Sequence, residues 1–177
     1  IGTCLVGSEM CIRDRLKEVA VKSDKGEVGT AIGNGLYEMK LGGLRHDVEG
    51  ALDFFNTANA KPITSQDALD ALKISVGLST SAGTKNAFDF MSADFNQDGK
   101  VSSQDALSIL KYSVGLPTSE QAKWVFVDTN GDYSGVSKSN TSYTEGVSIA
   151  DLSADTTVSL TGILIGDVND SYSGLIA

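Results

Sequence analysis

Asp94-Phe95-Asn96-Gln97-Asp98-Gly99-Lys100-Val101-Ser102-Ser103-Gln104-Asp105 is the stretch from which the rest of the chain can be read. Asp94, Asn96 and Asp98 alternate at positions 1, 3 and 5, so that each side-chain oxygen can point to one side of a tight turn. Gly99 at position 6 permits a sharp backbone bend that a Cβ resists. Lys100 at position 7 offers its carbonyl, Ser102 at position 9 its hydroxyl or a bound water, and Asp105 closes the set at position 12. A hard cation such as calcium takes about six to eight oxygen ligands, and this spacing supplies them from twelve consecutive residues. Asp at the closing position is shorter than the usual Glu and predicts a weaker or differently wrapped site. A solvated Asx turn before a helix is the plainer alternative, but it explains fewer of the matched positions.

The segment that follows the loop is a repeat. Ile63 to Thr80 recurs as Val101 to Thr118 at an offset of 38 residues, with 12 of the 18 positions identical. Each copy predicts a helix. Thr64 and Ser102 suit the N-cap, with Asp67 and Asp105 three residues on. Gly77 and Gly115 suit the C-terminal cap, and Pro117 stops the second helix. Leu69, Leu72 and Val76, like Leu107, Leu110 and Val114, form i, i+3, i+7 apolar stripes. The expectation is an antiparallel helix pair in which these stripes bury each other.

The loops ahead of the two helices differ. Aligned on Asp67, the first runs from Asn56, with Ala58, Ala60 and Lys61 at positions 3, 5 and 6. One carboxylate does not offset the cost of stripping water from calcium, so this loop is expected to be metal-free and held by packing. Ile63 and Val101 share position 8, where paired calcium loops lay short strands together, and their β-branched side chains predict that this pairing persists.

A duplicated loop-helix unit of this kind, with D-x-N-x-D-G-x-V-x-x-x-D, no full helix ahead of the loop and Gly-Leu after the helix, resembles a type I dockerin. It is most similar to the dockerin-like modules of secreted bacterial proteins, and the resemblance covers about residues 50 to 118. It implies Ca2+ as the cofactor, held by Asp94, Asn96, Asp98, Lys100, Ser102 and Asp105. It implies a cohesin-like partner, contacted by Ser103, Gln104 and Lys111 and by their copies Ser65, Gln66 and Lys73. The first loop departs from the family in its lost ligands, and Gln at position 11 departs as well. Ser and Gln also simply suit a helix start, and Lys its exposed flank.

Composition frames this. The 177 residues are 41% hydrophobic and 21% charged, enough for one or two domains with real cores. The formal net charge of -9 argues against nucleic acid and suits cation binding. No apolar run is long enough to span a bilayer. Residues 1–15, which hold both cysteines (Cys4 and Cys11), resemble translated sequencing-adapter read-through and are set outside the evolved fold. No thiol chemistry is then implied. Residues 16–49 predict two or three short strands, with a hairpin at Asn34-Gly35, as at the end of an upstream β domain. His46, the single histidine, is expected at the surface.

Residues 119–177 predict a β-rich segment, with strands at Trp124–Val127 and Val158–Ile165. Asp128, Asn130 and Asp132 repeat the alternating oxygens with Tyr133 where Gly belongs, so they are weak calcium candidates and a solvated turn fits them better. Asp167 and Asn169, in Gly166-Asp167-Val168-Asn169-Asp170, look like the opening of a dockerin loop without room for its remainder. Similar Gly-Asp-Val-Asn segments recur near the C-termini of secreted bacterial multidomain proteins with dockerin-like repeats, and the resemblance implies the expectation that Ala177 lies at or near a natural end.

No Ser-His or Cys-His pair, no phosphate-binding Gly-rich loop and no separable catalytic carboxylate pair is present past residue 15. The class expected is α+β: a dockerin-like pair of antiparallel loop-helix repeats flanked by short strands. The function expected is a non-catalytic, calcium-binding, monomeric attachment module of a larger extracellular or cell-surface protein. The alternative is a calcium-rigidified cap or spacer of a secreted adhesin or polysaccharide-degrading enzyme, with no partner of its own. An attachment module should expose one patch around Ser65, Gln66, Ser103 and Gln104; a spacer should bury it against the C-terminal strands. A cytosolic calcium sensor fits less well, with one complete loop, no entering helices and no Met-rich groove.

Overall fold

The helix starts follow their capping signals. The computed structural model describes residues 2–7, 20–33, 36–41, 45–51, 62–81, 83, 85–150 and 156–171. Helix α1 spans Ser65–Val76, a short helix α2 spans Ala87–Ala93, and α3 spans Ser103–Ser113. The Thr64 hydroxyl accepts from the Gln66 N–H (3.2 Å), while Asp67 accepts from the Thr64 N–H at 2.8 Å. Ser102 and Asp105 reproduce both bonds at 3.2 and 2.8 Å. The helix ends match too: Leu78 N–H reaches the Lys73 carbonyl and Leu116 N–H the Lys111 carbonyl, both at 2.8 Å. Gly77 and Gly115 sit between at φ 81° and 75°. This is the wrap that satisfies orphan carbonyls at a helix C-terminus.

The apolar stripes do not bury each other as expected. Leu69, Leu72, Leu107 and Leu110 are between 42% and 46% exposed, and Val76 and Val114 more so. The buried face lies next to the stripe and carries Ala68, Ala71 and Ile74 on α1, and Ala106 and Ile109 on α3. Small alanines let the two helices approach closely, and their shared inner face belongs to the main core with Met91, Phe95 and the strands. Adjacent faces of one amphipathic helix share a period, so spacing alone could not choose between them.

Helix α2 was not expected. Asn86 caps it by accepting from Phe88 and Asp89 N–H (2.8 and 3.1 Å), and Asp89 returns the bond to the Asn86 N–H at 2.8 Å. It runs directly into Asp94, so the complete loop does have an entering helix, though one of only seven residues.

Strands β1 (Gly2–Gly7), β2 (Ala20–Ser23), β3 (Thr30–Gly33), β4 (Leu36–Leu41) and β5 (His46–Ala51) precede the helices. Strands β6 (Trp124–Asp128), β7 (Val147–Ile149) and β8 (Thr156–Leu164) follow them. They form a five-stranded sheet in the order β3-β4-β1-β8-β6 and a three-stranded one in the order β2-β5-β7. Strands β3 and β4 pair antiparallel, as a hairpin requires, although Asn34-Gly35 itself lies outside the described residues. Strands β6 and β8 fall where the β-branched and aromatic runs placed them, paired from Trp124↔Leu164 to Asp128↔Leu160. Trp124 to Val127 are all buried rather than alternating, because both faces of β6 are covered. Strands β5 and β7 pair antiparallel, so the early strands share sheets with the C-terminal third. The His46 side chain, Cys11 and residues 52–61, which include Asn56, Ala58, Ala60 and Lys61, lie outside the described residues.

Gly2–Gly7, within the segment set aside as read-through, pairs with β4 on one side and with the first half of β8 on the other. An open strand edge offers main-chain groups that any extended segment can pair with, whatever its sequence. The read-through assignment therefore makes a measurable statement: removing residues 1–15 is expected to leave the melting temperature unchanged. A fall of several degrees in a thermal melt would show that β1 belongs to the sheet proper.

Candidate calcium loop and exposed helix face

The loop from Asp94 to Asp105 is shaped by its own side chains. Asp94 is 4% exposed; its Oδ1 accepts from the Asp98 N–H at 3.1 Å and its Oδ2 from the Gly99 N–H at 3.0 Å. Asn96 Oδ1 accepts from the Asp98 N–H (2.9 Å), and Asp98 Oδ1 from the Lys100 N–H (3.2 Å). Asp105, fully buried, closes the turn: its Oδ1 accepts from the Asn96 N–H at 3.1 Å, and its Oδ2 from the Ser102 N–H and hydroxyl. Gln97 and Gly99 take positive φ, 56° and 91°. A Cβ on Gly99 would meet nothing within 4 Å, so glycine serves the left-handed conformation rather than close packing.

This donor set suits a hard cation. Every side-chain donor is an oxygen, and a carboxylate or amide oxygen that accepts one N–H keeps a second lone pair. Asp94 Oδ1, Asn96 Oδ1, Asp98 Oδ1 and Asp105 Oδ1 are each in that condition with respect to the bonds above. Burial pushes the Asp94 carboxyl up, the bonds from Thr141 and Gly99 pull it down, and the Asp105 charge adds to the rise; the net shift is upward. A charge so placed favours a counter-cation. Lys100 does not serve, because its ammonium pairs with the exposed side of Asp98 at 3.8 Å, a contact that water screens. Among the described residues, no group of three or more His, Cys, Asp or Glu side chains is placed to hold a metal. Half of the expected donors here, Asn96, the Lys100 carbonyl and Ser102, are neutral oxygens.

The loop is braced by residues that no sequence pattern singles out. Thr141 is 2% exposed, and its hydroxyl donates to Asp94 Oδ2. Thr141 N–H donates to the Gly99 carbonyl at 3.0 Å, and Val101 N–H to the Lys138 carbonyl at 2.7 Å. The back of the loop thus pairs with residues 138–141. This corrects the expected pairing of Val101 with Ile63. Gln97 donates to the Tyr143 hydroxyl at 2.9 Å; burial, then the charges of Glu145 and Asp94, push that phenol up to about 12. None of these residues stands in a periodic or motif context, so no sequence signal marked them.

The weaker candidates serve their own turns. Asp128 Oδ1 accepts from the Asn130 N–H (2.9 Å) and Asp132 Oδ1 from the Ser134 N–H (3.0 Å), both as Asx turns. Asp167 and Asn169 lie beside Asp67, at the start of α1.

The residues implied as partner contacts occupy one face. Ser65, Ser103 and Gln104 are exposed, and Gln66, Lys73 and Lys111 are half-buried. Between them runs an apolar groove lined by Ala68, Leu69 and Leu72 of α1 and Ala106, Leu107 and Leu110 of α3, with Ser65 and Ser103 also on its walls. Each lining residue of α1 has its counterpart 38 positions later.

The flanks of the groove are not equivalent. Asp70, fully buried on α1, accepts from Gln66 Nε2 (3.1 Å), Lys73 Nζ (3.3 Å), Ser81 N–H (2.9 Å) and the Ser81 hydroxyl. Two of the implied contact residues of the first copy are thereby tied to the protein's own interior. In the second copy Ser108 stands in place of Asp70. Glu120 supplies an acid from beyond the helix; its carboxylate accepts from the Thr118 and Ser119 hydroxyls, which chiefly hold it at about 2. Among the described residues, Gln104 and Lys111 make no bond of the Asp70 type.

Among the described residues no helix is long and apolar enough to cross a membrane. No family model matches the chain, and neither a curated protein nor a solved structure does.

Proposed function

We propose that the chain is a non-catalytic, calcium-dependent attachment module of an extracellular protein, and that a cohesin-like partner docks on the groove between α1 and α3. The observation that carries this reading is the exposure of four leucines at matching positions. Leu69, Leu72, Leu107 and Leu110 form one apolar surface flanked by Ser65, Ser103 and Gln104. A helix stripe left out of the core costs solubility, and a contiguous apolar surface rimmed by polar residues is characteristic of an interaction site. A spacer gains nothing from it, and none of the described C-terminal strands covers it. Calcium's part is local. Bound to Asp94, Asn96, Asp98, the Lys100 carbonyl, Ser102 and Asp105, it would offset the buried charge and fix the turn that launches α3.

Because the groove walls repeat, a partner could dock in two orientations related by half a turn. The flanks favour the orientation centred on the second copy, since Gln66 and Lys73 are engaged by Asp70. Leu107→Asp is therefore expected to weaken binding to a purified type I cohesin more than Leu69→Asp, each by more than about tenfold, as for a central interface anchor. Calorimetry with the cohesin, with and without chelator, measures this, and sedimentation velocity of the chain alone reports self-association. Calcium-independent binding, or binding indifferent to both leucines, sinks the proposal. Dimerisation through the groove would replace the partner by a second copy of the chain.

A further inference from the structure

We propose that the chain holds a second calcium site, assembled from two segments far apart in sequence: Asp167, Asn169 and Ser171 after β8, and Thr64 and Asp67 at the start of α1. This rests on the assignment of Asp94–Asp105 as a calcium loop, because the argument is a correspondence with it.

Several bonds correspond. In the complete loop Asp94 Oδ1 accepts from the N–H four residues on (Asp98, 3.1 Å); after β8, Asp167 Oδ1 accepts from the N–H four residues on (Ser171, 3.0 Å). The residue three after Asp94, Gln97, has φ 56°; the residue three after Asp167, Asp170, has φ 53°. Those two are the only non-glycine residues with positive φ among the described residues. In the complete loop the closing Asp105 Oδ1 accepts from the N–H of Asn96, at position 3 (3.1 Å). Asp67 Oδ1 accepts from the N–H of Asn169, the equivalent residue, at 3.2 Å, and from Val168 at 2.9 Å. The other oxygen of each closing aspartate holds the helix cap, on Ser102 or on Thr64. Phe95 and Val168, at position 2, and Val101 and Ile63, at position 8, are all buried. Val168 and Asp67 are 101 positions apart, yet they meet as the corresponding parts of one loop do.

The two pieces are held together by close backbone approach. Gly166 has φ 103°, and a Cβ there would lie 2.5 Å from Ile63 Cδ1 and 2.8 Å from Phe95 Cε2. Its N–H donates to the Ser92 carbonyl (2.8 Å), and the Ser92 hydroxyl to the Asp167 carbonyl (2.6 Å). The turn after β8 is thus locked against both the start of α1 and the end of α2. Asp67 and Asp167 are 0% and 6% exposed.

An independent observation points to a ligand. The Asn169 side-chain oxygen is buried to less than 1 Å² and has no hydrogen-bond partner among the described residues. Leaving such an oxygen unpaired costs about 1–3 kcal/mol. Its counterpart Asn96 Oδ1, which also accepts from the Asp98 N–H, is a proposed calcium donor. A hard cation would satisfy the orphan, with Asp167 as the charged donor and Thr64 and Ser171 as neutral oxygens. Asp67, whose two oxygens already accept from Val168, Asn169 and both groups of Thr64, would supply charge beside the site rather than a bond. The proposal also accounts for Asp67, which the alanine-rich segment before it could not supply with companion ligands. Those companions come from the other end of the chain.

Asn169→Ala is the informative variant, since it removes an oxygen that makes no bond among the described residues and leaves the backbone N–H to Asp67 in place. The test is calorimetric titration of the full chelator-treated chain with calcium chloride, beside thermal melts of the calcium-free protein. Two binding steps are expected in the unaltered chain. Asn169→Ala should weaken one by more than about tenfold while the calcium-free melting temperature holds or rises. Asp167→Asn should weaken the same step, and Asp94→Ala only the other. A single step abolished by Asp94→Ala and indifferent to Asn169→Ala and Asp167→Asn overturns the second site. So do two steps that both survive these two changes, and so does a fall in calcium-free stability with calcium affinity intact. Loss of binding in Asp167→Asn with none in Asp94→Ala would retain this site and remove the loop assignment instead.

Discussion

Asp94→Ala is expected to lower calcium affinity at the complete loop by more than about a hundredfold, since removing a direct ligand costs more than the tenfold to hundredfold typical of an outer partner. Asp94 is the residue on which the loop turns. Its two oxygens hold the Asp98 and Gly99 N–H groups and the Thr141 hydroxyl, and it would open the proposed ligand series. Alanine would therefore remove a proposed ligand and loosen the turn together. The milder change is Asp94→Asn, which deletes the charge and keeps one of the two acceptor oxygens, at the cost of turning its NH2 toward the Asp98 or Gly99 N–H. Calcium at a hundred times its dissociation constant stabilises a folded chain by about 2.7 kcal/mol. For a chain of this size that is a rise of very roughly 5–11 °C in melting temperature. The unaltered protein should show a rise of this order between chelator and calcium. Asp94→Asn should melt somewhat below the unaltered protein in chelator, because one loop N–H loses its acceptor, and its own rise with calcium should be smaller by the share due to this loop. An undiminished calcium response in Asp94→Asn would falsify the assignment of the loop.

What the sequence disclosed and what it withheld divide by range. The loop and the caps of α1 and α3 were legible because each is settled within a dozen residues. A carboxylate three residues past a Ser or Thr has few better bonds to make than the cap it makes in both copies. Helix α2 was within reach as well: Asn86 and Asp89 bracket Ala87 and Phe88 as a capping box, ahead of Phe90 and Met91. The stripe of leucines was read correctly as a face and wrongly as the buried one. Which face of an amphipathic helix turns inward depends on what else there is to cover it, and Ala68, Ala71 and Ile74 won that place because the strands and α2 pack there. Thr141 and Ser81 were out of reach, since each meets its carboxylate across a loop with no periodicity of its own. Asp167 and Asn169 show an intermediate case. The opening of a loop was visible in Gly166-Asp167-Val168-Asn169, but the residue that meets it, Asp67, stands near the other end of the duplicated unit.

Asp70→Ala is expected to destabilise the chain by about 3–4 kcal/mol, near the range for breaking a buried charge network by removing one partner. Asp70 is fully buried and gathers four donors, from Gln66, Lys73 and both groups of Ser81. Its removal leaves the Ser81 N–H and hydroxyl without their acceptor and frees the ammonium that is now paired at 3.3 Å. The segment after α1, from Leu78 to Gly83, would lose its tie to the helix. Burial raises the Asp70 carboxyl, but the hydrogen bonds from Ser81, Gln66 and Lys73 outweigh it and leave the group below its ordinary value. The sign follows: a carboxyl depressed on folding stabilises the protein fully above its unfolded pKa of about 3.9. That contribution is lost as the pH falls through the lower, folded value. Glu120, held at about 2, acts in the same direction for the second copy. Denaturant titrations at pH 7 and pH 3 should therefore show the gap between Asp70→Ala and the unaltered chain narrowing at the lower pH. Ser108→Ala, at the equivalent position of α3, should cost less than about 1.5 kcal/mol, as for one ordinary hydrogen bond. The same substitution bears on docking. With Asp70 gone, Gln66 and Lys73 are released to the surface beside the groove, and the first copy comes to resemble the second. In a stabilised background, Asp70→Ser should therefore narrow the difference between Leu69→Asp and Leu107→Asp in partner binding. If that difference stays as wide as before, the asymmetry lies in the partner or elsewhere on the face, not in the carboxylate that distinguishes the two helices.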